Sequence, residues 1–440
     1  SGLSSSRKMR ILAVALLLGT AAAFSPAALP HLARASTHAI SMLSAPPLRG
    51  TSLLAPRPLS ANKVSLVTLH QMPVFKNKWA DPDYDPTKEE IATKVPLHIA
   101  AFKGNVDEVN RLLAAGADVD ERDDSNWTAL QWAARGAGKG QNSEQAPEVM
   151  EALKAGGADL VAENLTGNTA LHHAAHWGDA RATALLISWY TKEQVNHKTK
   201  LGWTALHWAG KAGAAEAAKM LLDAGIDPSI QNMKGNTALH EAAQQEEAEV
   251  MRVLVAGGVD PEIQNMEKEV PLFNTAYLGF FESTKMLLDG GADPNCIDVE
   301  GNVPLMMACR SGNEDIVELL LEYKADVNKV NNAGLTALHE VCGRRMSYGS
   351  EREELTARFI KAGADVNLKA SNGETPLHMA TRVGKMRDDA DVIEMLLEAG
   401  AHRDTKSEEG LTPWDIAVEG MDAEAIADSE VCQMLRDEGK

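Results

Sequence analysis

Apolar and polar residues recur along this chain with one long period. The hexad VPLHIA at 95–100 returns as TALHHA at 169–174, TALHWA at 204–209, TALHEA at 237–242 and TPLHMA at 375–380. Diverged copies begin at 128, 270, 303, 336 and 412, so successive starts are 33, 41, 35, 33, 33, 33, 33, 39 and 37 residues apart. Each copy predicts a helix start. The Thr204 hydroxyl stands at a cap position, and Leu206 and Ala209 then turn inward at helical spacing. Pro96, Pro271, Pro304, Pro376 and Pro413 fall at the first helical position, where a missing N–H costs least. A second helix ends in an apolar pair such as Leu112/Leu113, Leu221/Leu222 or Leu396/Leu397. Gly116, Gly225 or Gly400 follows, suited to the left-handed turn after a helix. ADVD at 117–120 and ADVN at 364–367 then extend into a hairpin.

A period of 33 built on this hexad resembles the ankyrin-repeat family over roughly 85–440, in ten units. The resemblance implies an all-α repeat solenoid of helix-turn-helix units joined by β-hairpin-like loops, occupying 81–440. One helix pair cannot bury its apolar face, so neighbours must stack. The interval of 41 implies an eight-residue insertion near 136–147, and those of 39 and 37 put extra residues near 344–353 and 385–391. All three fall between the two helices of a unit. Lys324 replaces the usual Gly in unit seven, and unit three has no Gly after Trp189. The acid-rich last unit reads as a C-terminal cap.

Charge divides the chain sharply. No acid precedes Asp81, whereas nine bases do, so all 62 acids meet only 34 bases in 81–440, a net charge of −28. Such a segment repels nucleic acid and anionic membranes and attracts basic partners. The first eighty residues read as an address. Arg7, Lys8 and Arg10 precede an apolar run at 11–18 and small residues at 20–23, which is signal-peptide order over 1–23, and the run is too short to span a bilayer. An acid-free Ser/Pro/Ala/Arg-rich stretch over 24–80 has transit-peptide composition. The succession, with Phe24 in AAAFSP at 21–26, resembles the bipartite presequence of complex algal plastids and implies a plastid location. Secretion with an unstructured linker is the alternative. Cys296, Cys309, Cys342 and Cys432 include no close-spaced pair, which points to buried, reduced thiols.

Catalytic chemistry finds no foothold. His98, His172, His207, His240, His339 and His378 share the fourth hexad position, where Gln131, Phe273, Met306 and Asp415 stand in other units. In the family this imidazole ties its own Thr to the neighbouring backbone. His172, His173 and His176 lack the further ligands that zinc requires. Gly136-Ala-Gly138-Lys-Gly140 lacks the spacing and the GK[ST] ending of a phosphate loop, and its glycines read as flexibility within an insertion. No cofactor or metal is expected.

Tryptophan carries the partner signal. Trp127 and Trp203 precede their Thr, Trp132 and Trp208 follow the fourth position, and Trp177 precedes Gly178. In the family's layout these are variable sites lining the concave face, and Trp suits binding hot spots. Asn168, His173, His176, Lys200 and Lys211 complete the expected rim. Packing between first helices is the competing role. A second grouping sets Glu241, Gln244, Gln245, Glu246, Glu247 and Glu249 beside Tyr277, Phe280 and Phe281. The expectation is a non-catalytic, monomeric adaptor that binds a protein or peptide, basic and hydrophobic in character. A permanent structural subunit of a large assembly is the alternative.

Overall fold

The computed structural model describes residues 95–138, 144–246, 248–343, 349–387 and 390–436. The presequence-like segments 1–23 and 24–80 lie outside them. The described residues hold twenty-two helices and no strand, and they belong to the compact unit Thr93–Lys440.

The hexads place ten first helices. They are Pro96–Phe102, Ala129–Gly138, Ala170–Trp177, Ala205–Ala212, Ala238–Ala242, Pro271–Leu278, Pro304–Ser311, Ala337–Cys342, Pro376–Arg387 and Pro413–Val418. A second helix follows in each unit, as Ala215–Asp223 follows Ala205–Ala212 in unit four. The insertions lie between first and second helices, and two of them partly extend the helices themselves. Unit eight has a 13-residue second helix, Gly349–Lys361, and unit nine a 12-residue first helix. Where unit three lacks its Gly, a short extra helix, Lys192–Val195, follows Trp189. Lys324 takes the left-handed turn itself, at φ 64°.

Stacking rests on one apolar core running through the units, in which Leu206, Leu221 and their equivalents are fully buried. Each such leucine contributes about 1.5–3 kcal/mol. First helices pack on first helices more extensively than second on second. Small residues make this possible. A Cβ on Gly136 would lie 2.3 Å from the Phe102 carbonyl oxygen, and one on Gly210 would lie 2.5 Å from that of Ala238. Gly136 is therefore a helical contact residue, contrary to its expected role as a flexible linker.

Two ladders run along the stack. In the first, His207 Nδ1 accepts from the Thr204 N–H at 3.2 Å and from its hydroxyl at 2.8 Å, and Nε2 meets the Asn236 carbonyl of the next unit at 3.0 Å. His172, His240, His339 and His378 repeat this tie, with Nε2 at 3.0–3.4 Å from the next unit's carbonyl. Gln131 reproduces it with an amide, accepting from the Thr128 N–H and donating to Ala162 and Asn168. Units six and seven interrupt it, because Phe273 and Met306 are buried apolar residues at that position. The second ladder links hairpin tips by one backbone bond each. Lys200 donates to Thr166, Met233 to Leu201, Met266 to Lys234 and Val299 to Glu267, at 3.0–3.1 Å. The expected hairpin-like loops are thus cross-linked turns.

Among the described residues no helix is long and apolar enough to cross a membrane. All four cysteines are buried, free thiols. Burial pushes the Cys342 thiol up to about 12.

Candidate protein-binding groove

On a first helix, the fifth and eighth residues counted from the hexad start are i and i+3 neighbours, and the residue just before the hexad folds beside them. Units two and four fill these positions alike, with Trp127, Trp132 and Arg135 in one and Trp203, Trp208 and Lys211 in the other. Unit three supplies Asn168, His173 and His176, then Trp177. The structure brings these side chains into a ring stack. Trp127 packs on Trp132 at 4.9 Å between centroids and stacks on His173 at 4.0 Å. Trp203 packs on Trp208 at 4.7 Å, and His176 stands edge-on to both Trp208 and Trp177 at 4.7 and 4.9 Å.

A cation caps each pair. The Arg135 guanidinium lies 5.1 Å from the Trp132 ring centre, 5.7 Å from that of Trp127 and 5.9 Å from that of Trp177. Lys211 Nζ lies 5.0 Å from Trp203 and 5.7 Å from Trp208. Sequence reasoning singled out Lys211 and missed Arg135. The readable signal was their shared place in the unit, seven residues after the hexad start.

Burial sorts the expected site residues. Trp132, His173 and Arg135 are buried and form the floor, whereas Trp127, Trp177, Trp203, Trp208, His176 and Lys211 are half-buried. Trp132 Nε1 donates to Asp123 at 2.9 Å, which anchors it as a packing residue. Lys200 is exposed on the hairpin tip before unit four. The buried atoms Trp208 Nε1, His176 Nδ1 and Asn168 Oδ1 have no hydrogen-bond partner. A buried polar group left without any partner costs roughly 1–3 kcal/mol. Burial, with Lys211 and Arg135 nearby, lowers His176 to about 4. Burial lowers His173 as well, so both rings are neutral near pH 7.

The three histidines of unit three point to different partners: His172 to the Trp203 carbonyl, His173 to Trp127 and Asn164, His176 to Trp208. The members of the second grouping lie in different surroundings. Glu241 is buried, and its carboxylate accepts from Asn232 and Asn236 at 3.0 Å. Tyr277 ends a first helix, whereas Phe281 opens a second helix and lines a separate cleft with Asp315, Glu318, Leu319 and Glu322. Glu247 lies outside the described residues.

A feature unread in the sequence runs along the hairpin tips. Leu165, Leu201, Met233, Met266 and Val299, one per tip in five consecutive units, are 50% to 69% exposed. Their signal was a large aliphatic residue three or four positions before each hexad.

Comparison with known families fits this architecture. The model for ankyrin repeats (3 copies) matches residues 141–232, 193–265 and 272–347, that for ankyrin repeats (many copies) matches 97–138, and that for the single ankyrin repeat matches 372–408. The chain belongs to the ankyrin-repeat family. This ankyrin-repeat protein is 30% identical to inversin of Mus musculus over 148 residues, which is 34% of the chain and 13% of inversin. It is 34% identical to the mitochondrial disaggregase of Bos taurus over 154 residues, covering 34% of the chain and 21% of that protein. The chain therefore spans under a quarter of these curated relatives. The solved ankyrin repeat domain of Bcl-3 is similar at 25% identity and a TM-score of 0.44, over 52% of this chain and 98% of that domain. Ankyrin arrays are scaffolds for protein–protein interaction, and this chain is one.

Proposed function

We propose that this protein is a non-catalytic adaptor that captures a protein or peptide through the first-helix face of units two to four, inside a plastid. One observation carries the groove: two tryptophan pairs, each capped by a cation, flank a unit in which the buried atoms Asn168 Oδ1 and His176 Nδ1 have no protein hydrogen-bond partner. Half-exposed indoles on a stack of rigid helices offer large contact area at little conformational cost. The plastid location is supported by the order of charge, apolar run and acid-free stretch in residues 1–80. A second reading, a permanent subunit of an assembly, draws on the aliphatic row at the hairpin tips, since a stable assembly buries such surfaces. A monomer in gel filtration that releases its client favours the adaptor.

Proximity labelling in the source cell tests compartment and groove together. The full chain is expected to label a defined partner among plastid proteins, and Trp203→Ala with Trp208→Ala to lose that partner at unchanged helical content. Labelling confined to secretory proteins overturns the location. Undiminished capture by the double variant overturns the groove.

A further inference from the structure

The aliphatic row on the hairpin tips runs beside a row of charge. Leu201 is next to Lys200, Met233 to Lys234, Met266 to Glu267 and Val299 to Glu300, and all of these side chains are exposed. The signs fall in order along the array, two lysines and then two glutamates. Backbone bonds between successive tips hold them in line, and packed helices stand about 8–10 Å apart, so the five aliphatic tips span about 32–40 Å. Glu300 also accepts from Asn302 at 3.1 Å. Lys268 stands in the glycine place of its tip, at φ 58°. A Cβ at the equivalent Gly235 would lie 2.7 Å from the Met266 backbone nitrogen, so a side chain there leaves along the array towards the next tip.

We propose that this row is covered by the same row of a second copy of the chain, antiparallel about a two-fold axis between the Met233 and Met266 tips. A two-fold contact is isologous, so each pairing occurs twice. In this register Met233 packs on Met266 of the second copy and Leu201 on its Val299, while Lys234 faces its Glu267 and Lys200 its Glu300. Charge selects the register. An axis through the Met233 tip sets Lys234 against itself, and one through the Met266 tip does the same to Glu267. A parallel pairing sets every charge against its like, and such contacts are strongly disfavoured. Residues 81–440 carry a net charge of −28, which opposes self-association at a distance. At physiological salt the Debye length is about 8 Å, so the charges in contact outweigh that repulsion. The contact is thin, because a line of single side chains falls below the ~1,200 Å² typical of stable complexes. The dimer therefore forms at high concentration, and the chain is a monomer at the dilution of gel filtration.

Sedimentation equilibrium of the full chain at about 0.15 M salt, from about 1 µM to about 1 mM, tests this. The mean mass is expected to climb from one chain to two. Met233→Ser is expected to weaken the dimer about tenfold and Lys234→Glu by more than about tenfold, with circular dichroism unchanged in both. Glu267→Lys separates pairing from bulk repulsion. It lowers the net negative charge, which by itself strengthens association, yet the lysine it sets against Lys234 is expected to weaken the dimer. Lys234→Glu combined with Glu267→Lys is expected to restore association to within about threefold of the wild type. A mass that stays at one chain or rises past two, a dimer strengthened by Glu267→Lys, or a double variant as weak as the single ones overturns the proposal. None of the substituted side chains lies in the tryptophan groove, so each of those results leaves the groove standing.

Discussion

At the scale of the residue, His207 shows why the fourth hexad position is so restricted. Its ring must accept at Nδ1 and donate at Nε2, which only the neutral tautomer does. Burial keeps it so, lowering His207 and His240 to about 4 and His172 to about 3. Gln131 satisfies the same demand with an amide oxygen and nitrogen, whereas Asp415 only accepts, from the Thr412 N–H and hydroxyl. His207→Gln is therefore expected to cost little, and His207→Ala roughly 1–3 kcal/mol through the unmet Asn236 carbonyl and Thr204 N–H. The sign of the pH effect follows. The folded values lie below the ordinary 6.5, so the unfolded chain binds more protons between about 6.5 and 4, and stability falls as pH drops through that window. Denaturant midpoints at pH 7 and pH 5 should differ less in His207→Gln than in the wild type. Equal losses in the two proteins would remove His207 from the titration.

At the scale of the element, the close approach of first helices depends on glycine. In an isolated helix Gly210→Ala would gain about 1 kcal/mol. Here the added carbon meets the Ala238 carbonyl at 2.5 Å, and overpacking of this kind costs about 1–3 kcal/mol. A lowered melting temperature is expected, and a raised one would refute the close contact. This element also marks what could be read in advance. Helix starts, second helices and insertion sites were legible because cap residues and hexads are local signals. The contact of Gly210 was not, since it depends on where another unit's backbone arrives. Glu241 was grouped with its neighbouring acids for the same reason, as its amide partners, Asn232 and Asn236, come from the hairpin before its own helix. The tryptophans were legible as a group, but their division into floor and rim was not. Trp132 and Trp208 occupy equivalent positions, and only the packing of Phe102 on Trp132 and the bond to Asp123 separates them.

At the scale of the whole molecule, the imidazole ladder divides the array at units six and seven, where Phe273 and Met306 interrupt it. Other ties hold those joints. Asn313 reaches back to the Ala276 and Tyr277 carbonyls at 3.2 and 2.9 Å, and the half-buried Arg310–Glu340 pair bridges units seven and eight. A neutral imidazole tie is nearly indifferent to dissolved ions, whereas a partly exposed ion pair is weakened as they are added. Ionic strength therefore becomes a local variable in an otherwise uniform stack. Between 0.1 and 1 M salt, amide exchange in units seven and eight is expected to accelerate relative to units three to five. A uniform response along the chain would show that the pair bears no share of the joint. A cell compartment whose salt content changes would, through this pair and the more exposed Arg358–Glu318 pair across the same joint, set how firmly the two halves of the array move together.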